Sequence, residues 1–143
     1  MKKIIAIAIA FIILIAGWFS ISKSNQKSTT PGDKTISIII EDRTGTNTTE
    51  IFKTEIKTEA EYLGEVLDQL VNSNSIEMEA VSSDFGRYIT SFNGNDGSQF
   101  NAFWMFESSN NKVCLEAGFC NLGMDALPIN DQDIFVFYLT NEY

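Results

Sequence analysis

The chain has 143 residues, with ten Lys and Arg against nineteen Asp and Glu, a net charge of −9 and no histidine. This length allows one domain and a short appendage, and the acidic surface disfavours nucleic acid as a partner. The absence of histidine excludes Ser-His and Cys-His nucleophile pairs, imidazole acid–base catalysis and His-ligated metal centres, so we predict a non-enzymatic protein with no catalytic residue, metal site or resident cofactor.

The amino terminus has the pattern of an export signal. Lys2 and Lys3 precede the unbroken apolar run of residues 4–19, IIAIAIAFIILIAGWF. Its length lies between a signal-peptide core and a full membrane span, and the lysines favour a cytoplasmic start. We therefore predict that residues 1–21 are a signal anchor, with cleavage near Ser20-Ile21-Ser22 as the open alternative. The rest of the chain would face the outside of the cell, or be secreted if the leader is cleaved.

Residues 22–34, SKSNQKSTTPGDK, contain no apolar side chain except Pro31. Such a composition cannot bury enough surface to offset the entropy of ordering, so this segment is predicted to be a flexible tether. It precedes a folded domain that we place at residues 35–143.

The domain begins with strand patterns. Ile36, Ile38 and Ile40 alternate with polar residues, and a second alternating segment follows at residues 50–56 after turn-forming residues. This spacing predicts a hairpin.

One helix is predicted next. Thr58 and Glu61 have the spacing of a capping box, and a stripe of apolar residues recurs at helical spacing before Asn72-Ser73-Asn74 ends it. Gly64 lies within this stripe and costs about 1 kcal/mol relative to alanine, which packing must offset.

Four further strands are predicted after the helix, at residues 76–80, 87–92, 103–106 and 134–139. The last two are apolar on both faces, which is typical of central strands. The domain is therefore predicted to be α+β, with a small, mostly antiparallel sheet of five or six strands packed on one helix.

Two features near the carboxyl end invite a chemical interpretation. Cys114 and Cys120 are the only cysteines, and an even count in an exported domain favours a disulfide that pins a local loop. Oxygen ligands between Asp125 and Asp133 leave a calcium site open as a minor alternative to solvated turns.

Aromatic residues cluster in the carboxyl-terminal half of the chain. A small sheet domain cannot bury all of them, so a subset is expected to line a face that holds a planar ligand or a partner protein. We take the candidate contact residues from this set: Trp104, Phe106, Phe92 and Tyr88.

The order of segments resembles the transcobalamin-like C-terminal domain family, which occurs in exported and lipid-anchored bacterial proteins. The similar segments are TEAEYLGEVLDQL, FGRYITSFNG, FWMFESSNNK and GMDALPINDQDIFVFYL, in that order within residues 35–143. The resemblance implies a β-grasp-like fold. In vertebrate cobalamin carriers the related domain closes over the corrinoid from one side, so the resemblance also implies a corrinoid as ligand.

The leading hypothesis is therefore a membrane-tethered extracellular module that captures a small planar or apolar ligand, such as a corrinoid, for an uptake system. The alternative is a protein–protein interaction or scaffold domain of the cell envelope without a small ligand. Partners under these hypotheses are the membrane, a corrinoid or similar ligand, and an envelope or transporter protein.

Overall fold

Six strands and two helices make up residues 33–142, the part of the chain that the computed structural model describes. Their bounds are β1 (Lys34–Asp42), β2 (Thr49–Thr58), α1 (Leu63–Asn72), β3 (Met78–Ser83), β4 (Gly86–Phe92), β5 (Phe103–Ser108), α2 (Lys112–Ala117) and β6 (Ile134–Thr140), with a 3₁₀ turn at Ser98–Phe100. The predicted α+β class is confirmed. The short helix α2 was not predicted.

The strands form two sheets instead of the single sheet predicted. One has the order β2-β1-β6-β5 and the other pairs β3 with β4. Within residues 33–142 three strand pairs are antiparallel and only β1 and β6 run parallel, so the mostly antiparallel character is confirmed.

The two strands predicted to be central differ in position. β6 does lie between β1 and β5, but β5 is an edge strand, so the prediction for β5 is wrong. Its apolar residues adjoin a cleft instead of a further strand, and Met105 is 42% exposed. An apolar run is therefore as consistent with a strand that borders an apolar cleft as with a central strand.

The hydrophobic core joins one face of the larger sheet to α1. Ile36, Ile38 and Ile40 of β1 are fully buried, as predicted from their alternation. They belong to the same cluster as the buried residues of β6 and α1: Phe135, Phe137, Leu139, Leu63, Val66, Leu67 and Leu70. Gly32–Tyr143 is a compact unit by itself, so this core is available to the domain on its own.

The start of α1 differs from the predicted capping box. The helix begins at Leu63, and the carboxylate of Glu65 accepts the amides of Glu61 and Tyr62 at 2.8 and 2.9 Å. The Oγ1 of Thr58 instead accepts the amide of Ala60 at 3.0 Å. The capping carboxylate therefore belongs to Glu65, four residues after the predicted Glu61.

The predicted leader at residues 1–21 and nearly all of the tether lie outside the described residues. Among residues 33–142 there is no helix with the length and apolar character needed to cross a membrane.

Candidate ligand-binding site

An apolar cleft of about 270 Å³ opens beside the edge strand β5. β4, β5 and residues 119–124 surround it. Buried Phe137 and Met124 lie at its base, while Tyr88, Phe119 and Leu122 are exposed at its rim. The cleft therefore offers a preformed apolar surface with exposed apolar side chains around its entrance.

Three of the four predicted contact residues line this cleft. Trp104 is buried, and its Nε1 donates to the carbonyl of Asn95 at 2.9 Å, which fixes the indole. Phe106 is partly buried with its ring centroid 5.4 Å from that of Phe137. The Tyr88 side chain is 45% exposed, and its hydroxyl donates to the Trp104 carbonyl at 3.2 Å.

The fourth predicted residue, Phe92, lies in the core behind the cleft. It is 1% exposed and packs edge-to-face against Trp104 and Phe137, with ring centroids 5.0 and 5.5 Å apart. Edge-to-face pairs of this kind stabilise a fixed ring arrangement. Phe92 therefore supports the aromatic wall and is not among the residues that line the cleft.

The disulfide between Cys114 and Cys120 is confirmed. It joins α2 to the segment that borders the cleft. Asn111 is the N-cap of α2, and its side-chain oxygen accepts the amides of Val113 and Cys114 at 3.1 and 3.2 Å. The closed loop thereby holds Phe119, which is 69% exposed, at the cleft's rim.

A second cleft of about 270 Å³ lies on the other side of this loop. Met105, Phe106, Phe119 and Cys120 border both clefts, and Leu115, 58% exposed, borders only the second. Residues 115–119 thus lie between the two clefts.

A charged cluster pins the elements that surround the first cleft. The Arg87 guanidinium binds Asp68 of α1 at 2.7 Å and Asp125 at 2.7 Å, and the Arg87 amide also donates to Asp125 at 2.8 Å. One cation thus links β4, α1 and the chain beside Met124. Because Arg87 binds two carboxylates, the cluster as a whole is negative.

The contacts within this cluster shift the pKa values of Asp125 and Arg87. Hydrogen bonds from the Arg87 guanidinium hold the pKa of Asp125 below its usual value, and the partial burial of Asp125 opposes this only in part. The pKa of Arg87 is raised, first by its hydrogen bond to Asp125 and then by the one to Asp68. Both groups stay charged at neutral pH.

The carboxylates considered for calcium also have partners within the protein. Asp133 is buried and its Oδ2 accepts from Asn111 Nδ2 at 2.6 Å and from the Asn130 amide at 2.9 Å. Asp125 binds Arg87, as described above. Among residues 33–142 no group of three or more Cys, Asp or Glu side chains is placed to hold a metal ion.

Several residues that line the cleft are not among the four predicted contact residues, namely Arg87, Phe119, Leu122, Met124 and Phe137. Phe137 belongs to a strand that looked uniformly apolar, so nothing distinguished it from its neighbours. Phe119 did carry a signal, because it precedes Cys120 and the bridge restricts where it can lie. Met124 follows Gly123, whose position allows close approach to the Phe85 carbonyl.

Comparison with known proteins gives the fold some support. No protein-family model and no curated protein matches the chain. A "putative metal binding protein" from Ruminococcus gnavus has a similar structure, with a TM-score of 0.55 and 26% identity over 77% of this chain and 99% of that one. Haptocorrin in complex with Cbi matches at a TM-score of 0.48 and 13% identity, over 74% of this chain. The chain spans about a quarter of haptocorrin, 25% of its length.

Proposed function

We propose that residues 33–142 form a binding module that captures a small apolar or planar ligand in the cleft beside β5. The observation that carries this proposal is the exposed apolar rim of Tyr88, Phe119 and Leu122 around a preformed apolar recess. Exposed apolar side chains grouped around a concave surface are typical of ligand sites. The module would bind without turnover and present its ligand to an uptake system.

The size of the cleft limits the ligand. Its volume of about 270 Å³ is near the lower end of the range for small-molecule sites. It accommodates a small apolar molecule or one apolar part of a larger one. A corrinoid, the ligand implied by the family resemblance, would lie across the rim, with Tyr88 and Phe119 against its macrocycle. The four-stranded sheet with its parallel pair and a single long helix is consistent with a β-grasp-like fold.

We further propose that this module faces the outside of the cell, tethered by its amino-terminal leader or secreted after cleavage. The disulfide between Cys114 and Cys120 supports an oxidising compartment, because such bonds rarely persist in the cytosol. The acidic surface suits a soluble domain held near a membrane.

Titration of the Gly32–Tyr143 unit tests ligand capture. Trp104 is the only tryptophan of this unit and lines the cleft, so cobalamin and a small apolar dye are titrated while its fluorescence is followed. We expect saturable binding that Phe119→Ser weakens about tenfold, because it removes an exposed aromatic contact. Phe100→Ser is the matched control, since Phe100 is 53% exposed but does not line the cleft. The proposal is contradicted if neither cobalamin nor the dye binds at concentrations up to ~1 mM.

The alternative function is recognition of another envelope protein, and one observation favours it. Phe85 is 87% exposed on the turn between β3 and β4, and its carbonyl closely approaches Gly123 beside the cleft. Phe85 thus extends the exposed apolar surface beyond what a small ligand needs. A Phe85→Ser variant separates the two functions, because it should leave dye binding unchanged and weaken a protein partner.

A further inference from the structure

The free edge of β2 lies on the side of the larger sheet opposite to the cleft. β2 is the first strand in the order β2-β1-β6-β5, and among residues 33–142 no other strand pairs with its outer edge. With ten residues it is the longest strand described. A long unpaired edge is a template for another strand, and its side chains determine which strand fits.

The backbone hydrogen bonds of β1 show which groups of β2 are unpaired. The Ser37 amide donates to the Asp133 carbonyl and the Gln132 amide donates to the Thr35 carbonyl, at 2.9 and 2.8 Å. Odd-numbered residues of β1 therefore point their backbone groups toward β6, and even-numbered ones point theirs toward β2. Even-numbered residues of β1 pair with Phe52, Thr54 and Ile56. The amides and carbonyls that remain for the free edge belong to Lys53, Glu55 and Lys57.

The side chains of β2 alternate between two chemically distinct faces. Phe52, Thr54 and Ile56 are half-buried on the core side, whereas Lys53 and Glu55 are exposed on the opposite face. This edge is locally balanced in charge within a chain of net charge −9. It is therefore a place where two copies can approach without like charges meeting.

We propose that β2 pairs antiparallel with β2 of a second copy of this chain, centred on Thr54. In this register Lys53 of each copy lies opposite Glu55 of the other, and Phe52 lies opposite Ile56 on the core side. Both ion pairs fall at the residues whose backbone groups are unpaired, so each also exchanges two backbone hydrogen bonds. The two sheets then join into one of eight strands, with a ligand cleft at each outer edge.

Other registers fit less well. Centring the pair on Lys53 or Glu55 places that residue opposite its own copy, and like charges opposed across strands are destabilising. Centring on Ile56 restores opposite charges, but since β2 ends at Thr58 only five strand residues of each copy then overlap. At the other end Ile51 is the extra residue of a bulge between Ile40 and Glu41, which limits the ladder there.

Charge reversal tests the proposal on the Gly32–Tyr143 unit. A single paired strand buries less area than a standard interface, so we expect a weak dimer, dissociating in the range of about 10 to 500 μM in sedimentation equilibrium. Lys53→Glu and Glu55→Lys should each raise the dissociation constant about tenfold or more, and the double variant should restore it. Lys112→Glu, an exposed lysine on α2, is the control. A monomer at ~1 mM, or equal dissociation constants for wild type and Lys53→Glu, overturns the proposal.

Cross-linking tests the register independently. Thr54→Cys places two thiols opposite each other in a non-hydrogen-bonded pair, where Cβ atoms lie about 4.5 to 5.5 Å apart. We expect a disulfide-linked dimer under mild oxidation for Thr54→Cys and little for Ile56→Cys. The opposite preference overturns the register centred on Thr54. Val81→Cys on exposed β3 measures random collision, and a yield for Thr54→Cys no higher than this control overturns the pairing itself.

Discussion

Asp125 occupies the space that a side chain on Gly64 would need. A Cβ added to Gly64 would overlap with the Asp125 Oδ1, and it would come within 3.3 Å of the Asp125 Cα. Gly64, the residue of α1 with the lowest helix propensity, thus leaves space for the carboxylate that binds Arg87. This contact supplies the packing that offsets the cost of glycine in α1.

Replacing this glycine tests the relationship. Gly64→Ala gains about 1 kcal/mol of helix propensity, but it forces Asp125 away from Arg87, and overpacking of this kind costs about 1 to 3 kcal/mol. We expect a net loss of about 1 kcal/mol in the free energy of unfolding, measured by urea denaturation. The loss should disappear in an Asp125→Ala background, and Gln69→Ala on the exposed side of α1 is the control. A Gly64→Ala variant more stable than wild type would show that the carboxylate moves freely.

The same carboxylate predicts an acid dependence of stability. The pKa of Asp125 is lowered in the folded state, mainly by hydrogen bonds from Arg87. Its stabilisation is therefore present above the pKa of the unfolded chain, about 3.9, and is lost as the pH falls through the lower folded pKa. We expect Asp125→Asn to be less stable than wild type at pH 7 and close to it at pH 2, measured by urea denaturation. Asp84→Asn, on the exposed turn before β4, should show no such convergence.

Asn111 is the next residue with a large expected effect. It is fully buried, caps α2, and donates to Asp133 Oδ2 at 2.6 Å and to the Pro128 carbonyl at 3.0 Å. Asn111→Ala removes the cap and leaves a buried carboxylate short of a donor, so we expect a loss of about 2 to 4 kcal/mol. Thermal and urea denaturation measure it. An effect as small as that of exposed Asn141→Ala would contradict this role.

The disulfide is expected to matter more for binding than its stability contribution suggests. A loop this short contributes about 2 kcal/mol through chain entropy, so the Cys114→Ala, Cys120→Ala double variant should fold with a modestly lower Tm. Phe119 would then no longer be held at the cleft, so the double variant should bind the dye more weakly than wild type. This loss should exceed the one measured for wild type in enough urea to lower its stability by the same amount. Equal dye affinity in both proteins would show that the loop keeps its position without the bridge.

The sequence predicted the elements of the fold more completely than their arrangement. Alternation in β1 and the helical stripe in α1 follow directly from burying one face, so both were found. The sequence did not predict the edge position of β5, because an apolar run is equally expected in a strand that has neighbours on both sides and in one that borders a cleft. The parallel pairing of β1 with β6 joins residues about a hundred positions apart, which periodicity cannot detect.

The candidate site was predicted in part for a similar reason. Aromatic character identified Trp104, Phe106 and Tyr88, which the fold brings to one cleft. It could not separate them from Phe92, because a core ring and a cleft ring have the same chemistry. Arg87 was missed because its two carboxylate partners lie 19 positions before it and 38 after it.

Residues 115–119, enclosed by the bridge, contribute no side chain to the buried core, although Cys114 at their start does. Apart from Gly118, which caps α2 at a φ of 81°, the side chains of this segment can therefore be exchanged without rebuilding the core. A library randomised at residues 115–117 and 119, with Gly118 kept, would be a practical way to alter what the domain binds.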